Sequence, residues 1–156
     1  EPLPAHTPYR AILDYAHSPA SLESILKTIR EFTKGRLICV FGCGGGRDKE
    51  KRPIMGEISG RLADYSILTS DNPRLEDPME ILREIEAGIQ PTGAPYTVIE
   101  NRREAIRFAM QMGKPGDVIV LAGKGHETYQ DIGGRKLPFD EKVVVRELLS
   151  EMELVE

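Results

Sequence analysis

The sequence predicts an α/β fold: a Rossmann-like three-layer sandwich with a mostly parallel sheet of about six strands, one antiparallel edge strand, and helices on both faces. Three observations predict it. Nearly continuous apolar runs recur at 37–41, 65–69 and 118–122, as strands buried on both faces require. The stretches between them carry apolar residues at helical spacing. The two patterns alternate as repeated βα units, which build parallel sheets with helices on both sides.

Taken in order, residues 1–9 (EPLPAHTPY) hold three prolines and read as an extended linker, as of a chain cut from something longer. His6 lies there and is given no role. Residues 10–156 form the domain proper. Ala11, Ile12 and Leu13 make the first strand. Ser18 caps the next helix and Pro19 suits its first position. Leu22, Ile25, Leu26, Ile29 and Phe32 form its buried stripe, and Gly35 closes it. After strand 37–41, residues 49–53 open a second helix with Ile54, Met55, Ile58 and Leu62 on one face. Its charged first turn reads as solvated. Asp77-Pro78-Met79-Glu80 joins a cap, a first-turn proline and an acidic third residue. Ile81, Leu82, Ile85 and Ile89 follow as a stripe. Residues 90–95 make a Gly/Pro turn before strand 96–99. Asn101 caps a helix that buries Ala105, Ile106, Ala109 and Met110 and ends at Gly113. After strand 118–122 the chain reads as a hairpin about Gly133-Gly134, the source of the antiparallel edge strand, and a helix over 140–149.

A chain of 156 residues fits one domain with a proper core. A net charge of −4, with 21 basic against 25 acidic residues and no long basic run, points to neither nucleic acid nor a membrane surface as partner. No apolar run reaches membrane-spanning length, and no export signal opens the chain. Cys39 and Cys43 lack nearby histidines, so they read as two reduced thiols of a cytoplasmic protein and not as a zinc site.

Four polar loops, at 14–19, 42–48, 71–74 and 123–127, each follow a strand. In a parallel sheet they share the rim where ligands bind. In Asp71-Asn72-Pro73-Arg74, Pro73 stiffens a loop bearing a carboxylate, a carboxamide and a guanidinium. Such a loop suits an amino acid; the alternative is an Asx-type turn with an exposed arginine. In 42–48 four glycines let a backbone approach a ligand, and Arg47 supplies a fork for a carboxylate or phosphate. It is not a dinucleotide fingerprint, because arginine stands at the third glycine position, and G-x-x-x-x-G-K-[ST] occurs nowhere in the chain. Asp14 and His17 stand before a helix N-terminus, where phosphate or ribose contact and purely local capping are equally good readings. Gly123-Lys124-Gly125-His126-Glu127 follows the most apolar strand and offers a cation, a titratable ring and a carboxylate.

DYAHSP (14–19), GCGGGRDKEKRP (42–53), DNPR (71–74) and GKGHE (123–127) occur in this order and span nearly the whole chain. Together they resemble the C-terminal domain of the Mur ligase family, nearest to its members that add 2,6-diaminopimelate. DYAHSP alone would fit the wider superfamily, including folate polyglutamate ligases. Ser18 stands where the family usually has Thr or Asn, and it keeps a capping group. The resemblance implies an ATP-dependent amide ligase of peptidoglycan assembly that joins meso-2,6-diaminopimelate to UDP-N-acetylmuramoyl-L-alanyl-D-glutamate through an acyl phosphate. It implies that this domain holds the amino acid and closes over ATP, while the P-loop and the Mg2+ ligands belong to a central ATPase domain, from which residues 1–9 are the linker. The fragment alone is therefore expected to be inactive, and the enzyme cytoplasmic and monomeric. By the same resemblance Arg47, Asp71, Asn72, Pro73, Arg74, Gly123 and Glu127 contact diaminopimelate, and Asp14 and His17 serve the nucleotide. No catalytic residue or metal ligand is assigned to this domain.

Diaminopimelate differs from lysine by a second carboxylate. Arg74 and Arg47 can meet a carboxylate in paired hydrogen bonds that lysine cannot satisfy, which gives selectivity on the order of 10⁴ or more. The alternatives are a lysine-adding ligase domain and a nucleotide-binding module that does no chemistry.

Overall fold

A computed structural model describes residues 7–46 and 48–155, with side chains through residue 152. Five strands, β1 (Arg10–Asp14), β2 (Leu37–Phe41), β3 (Tyr65–Leu68), β4 (Tyr96–Val98) and β5 (Val118–Ala122), form one parallel sheet in the order β1-β5-β2-β3-β4. Helices α1 (Pro19–Arg30), α2 (Lys51–Leu62) and α3 (Pro78–Ile89) cover one face. Helices α4 (Arg102–Met112) and α5 (Glu141–Val155) cover the other.

Strand alternation makes both cores. Leu37, Cys39 and Phe41 point to the first helix layer; Ile38 and Val40 point to the second. The helix starts follow local chemistry. Ser18 and Ser21 form a reciprocal capping box, Asp77 accepts from Met79 N, and Asn101 accepts from Glu104 N. Chain order sets the cleft. After β4 on the sheet edge, α4 crosses the opposite face and delivers β5 between β1 and β2. Four loops thus leave the carboxyl ends of adjacent strands together.

The expected antiparallel edge strand is corrected. Strands β6 (Tyr129–Ile132) and β7 (Arg135–Pro138) form a separate two-stranded sheet, leaving five strands in the main one and not six. Strand β5 is interior, so the chain leaving it meets no free edge. The hairpin rests instead on the rim, joined to the 71–74 loop by a bridge between Arg74 and Ile132. Gly133 and Gly134 take positive φ, +64° and +81°, as its tight turn needs.

Three further expectations are corrected. Ile54 and Phe32 are exposed. Helix α1 ends at Arg30, before the stripe would reach Phe32, and α2 meets α3 along Gly56, where an added Cβ would lie 2.2 Å from Ile85 O, so Ile54 falls outside the contact. The first turn of α2 is not wholly solvated, because Arg52 is fully buried. Residues 1–6 lie outside the described residues, and with them most of the expected linker.

Candidate functional site

At the carboxyl rim lies a cleft of about 570 Å³. All four loops contribute to its wall: Tyr15, His17 and Ser18 from the first, Gly44 and Asp48 from the second, Asp71, Asn72 and Arg74 from the third, Gly123 and Glu127 from the fourth. Arg47 lies outside the described residues, between Gly46 and cleft-lining Asp48.

The 71–74 loop is held from several sides. Asp71, Asn72 and Pro73 are buried. Asn72 Oδ1 accepts from Asp131 N at 3.0 Å, and Gly45 N donates to Asn72 O at 2.8 Å. Arg74 takes φ +56°, an unusual conformation for a residue with a side chain. It is held there by its own N–H donating to Asp131 O (2.9 Å) and its carbonyl accepting from Gly133 N (2.6 Å). Its guanidinium donates to Gly45 O at 2.8 Å. The stiffness expected from Pro73 thus comes equally from the hairpin.

In the fourth loop Gly123 has φ +116°, a region that side chains avoid, and its N–H donates to Asp14 O at 3.0 Å. Glu127 Oε1 faces Lys124 Nζ at 3.3 Å and Asn72 Nδ2 at 3.5 Å. Lys124 is fully buried behind this wall. In the first loop the local contacts are present. Asp14 Oδ2 accepts from Ala16 N (2.9 Å), and His17 Nδ1 lies 2.8 Å from Tyr15 O with its ring edge-on to Tyr15. His17 still lines the cleft, beside Lys51, whose Nζ donates to His17 O at 3.0 Å.

Among the described residues, no group of three or more His, Cys, Asp or Glu side chains is placed to hold a metal ion. Cys39 and Cys43 are free and buried, and burial pushes both thiols up to about 12. No helix among the described residues is long and apolar enough to cross a membrane.

Residues 1–125 match the family model "Mur ligase, glutamate ligase domain". The chain belongs to the Mur ligase family. It is 54% identical over 98% of its length to the UDP-N-acetylmuramoyl-L-alanyl-D-glutamate--2,6-diaminopimelate ligase of Caldanaerobacter subterraneus subsp. tengcongensis, covering 32% of that protein. A solved structure of a ligase of the same name superposes with a TM-score of 0.91 at 42% identity, over 97% of this chain and 31% of that one. Mycobacterium tuberculosis folylpolyglutamate synthase, solved with ADP and AMPPCP, superposes at 0.61 and 19% identity over 96% of this chain and 31% of that one, a likeness of fold alone. The chain spans about a third of the length of these relatives.

Behind the cleft, the Mur ligase domain carries a support built on Arg52, within the 42–53 motif, and on Glu76, outside the four motifs. Arg52 Nη2 donates to Gly44 O (2.9 Å) and to Glu76 Oε2 (2.8 Å), and Glu76 Oε2 accepts from Gly46 N (2.5 Å). The Arg52 guanidinium, with help from Gly46 N–H, lowers the Glu76 carboxyl to about 2. Arg52 and Glu76 therefore brace the glycine loop on both sides of Gly45. Deeper still, Arg102 pairs with Glu141 at 2.8 Å and donates to Ser70 O and Ala122 O, tying the ends of β3 and β5 to α5. Of these groups only Arg52 has a reading from the sequence, as part of a solvated first turn, and its buried surroundings overturn it.

Proposed function

We propose that this chain is the amino-acid-binding domain of an ATP-dependent ligase that adds meso-2,6-diaminopimelate to UDP-N-acetylmuramoyl-L-alanyl-D-glutamate in the cytoplasm. The observation that carries the reading is the cleft lining itself. A guanidinium, a carboxamide and two carboxylates from the 71–74 and 123–127 loops face one space, in a chain with extensive likeness to a diaminopimelate ligase.

In this reading Arg74, with Arg47 from the neighbouring loop, forks the distal carboxylate of the diamino acid. Asp71 and Glu127 attract an ammonium, and Asn72 sets its distance. Gly123 leaves room for the substrate backbone, and Pro73 keeps the loop from collapsing. Asp14, at the end of β1, and His17, just before α1, meet the nucleotide ribose and phosphates. ATP, bound with Mg2+ mainly by the rest of the protein, supplies the phosphoryl group that activates the acceptor carboxylate. The residues here bind and orient the incoming amine.

The test is competition between meso-diaminopimelate and L-lysine in the full-length ligase. Near-exclusive use of diaminopimelate, on the order of 10⁴-fold, is expected when donors held in the cleft reject a substrate that leaves them unpaired. Comparable use of lysine would sink the reading.

A further inference from the structure

Lys124 touches the cleft without entering it. Its side chain is fully buried, and it is not part of the cleft wall. Yet four side chains of that wall surround its ammonium. Asn72 Oδ1 lies at 3.0 Å, Glu127 Oε1 at 3.3 Å, Asp71 Oδ1 at 3.6 Å, and the Tyr129 ring centroid at 5.6 Å. Among the described residues, buried Asp71 Oδ1 has no hydrogen-bond partner, and the Lys124 ammonium, 3.6 Å away, is the cation that pairs with it.

From this we infer that Lys124 is a positioning residue for the amino-acid site, the hidden cation that sets Asp71, Asn72 and Glu127 toward the cleft. Two consequences follow from its contacts. Asn72 Oδ1 accepts from both Lys124 Nζ and Asp131 N, which fixes the carboxamide so that its NH2 turns to Glu127 and the cleft. Glu127 has one oxygen held by Lys124, leaving the other for a ligand ammonium. The charge balance also suits a cation. Two carboxylates against one ammonium leave the cluster at net −1, enough to attract an amine without leaving buried Asp71 beside half-buried Glu127 uncompensated.

The inference rests on the amino-acid-binding reading above, so the experiment keeps the two apart. Steady-state kinetics of the full-length ligase are measured for wild type and Lys124→Met, with the diamino acid that the wild type uses and with ATP, alongside a thermal melt. The expected result is a KM for the diamino acid raised tenfold or more, a KM for ATP within twofold of wild type, and kcat at saturation within about threefold. A double variant with Asn72→Ala should lose less than the product of the two single losses, because Lys124 acts through Asn72. Unchanged diamino-acid KM, or equal rises in both KM values, overturns the inference. Where the Met variant fails to melt cooperatively, Lys124→Gln, which keeps a donor to Asn72, takes its place. Failure of both to fold assigns Lys124 to the core and overturns it too. A wild type that uses lysine corrects the substrate but still tests Lys124; one that uses neither diamino acid removes the reading itself.

Discussion

Arg74 and Gly45 are joined across two loops: Arg74 Nη1 donates to Gly45 O at 2.8 Å, although 29 residues separate them. The contact explains how a long side chain near solvent keeps one direction. Arg74 also sits at φ +56° because the hairpin grips its N–H and its carbonyl. The guanidinium is therefore aimed before any ligand arrives, which reduces the ordering cost of binding.

Arg74→Ala in the full-length ligase is expected to raise the KM for meso-diaminopimelate on the order of 100-fold, about the strength of one charge-assisted pair. The KM for ATP should stay within twofold. Arg74→Lys should recover little, since an ammonium cannot fork a carboxylate. Steady-state kinetics with each substrate varied in turn checks this, and equal losses for both substrates would give Arg74 to the nucleotide or the fold.

Gly45→Ala should disrupt the same joint from the other side. A Cβ there would lie 1.8 Å from Pro73 O, a backbone atom that cannot move without shifting the 71–74 loop. A stability loss of about 1–3 kcal/mol is expected from such overpacking, together with weakened diaminopimelate use. Urea unfolding and substrate kinetics on one preparation read both effects.

Arg102→Met leaves Glu141 buried with no counter-charge. The expected cost is about 3–5 kcal/mol in urea unfolding. Adding Glu141→Leu should restore most of it, because removing both members of a buried pair is far cheaper than removing one. A double variant no more stable than the single would show that the backbone contacts of Arg102, not the ion pair, dominate.

Glu76 offers a pH test. Its carboxyl is lowered from 4.5 to about 2 by Arg52 and by Gly46 N–H. A depressed folded-state value means stability that is present above pH 4.5 and is lost as pH falls from there toward 2. Glu76→Gln should therefore be less stable than wild type at pH 7, with the gap closing across that window. A gap that does not vary with pH would assign the loss to packing and not to charge.

Some of this was readable in the sequence. Strands announced themselves as apolar runs, and Ser18, Asp77 and Asn101 marked helix starts, because caps and periodicity involve residues a few positions apart. The shared rim of four loops also followed, since parallel strands must present their carboxyl ends together. Tertiary structure alone decided the rest. Arg52 looks like a solvated charge and Lys124 like a cation open to a ligand until partners distant in the chain enclose them; Lys124 meets Asn72 across 52 positions. The hairpin looked like a sheet edge until the interior place of β5 sent it to the rim, where it bends Arg74 into a left-handed turn. Such features depend on which distant groups satisfy buried charges and backbone hydrogen bonds, and local spacing carries no record of that.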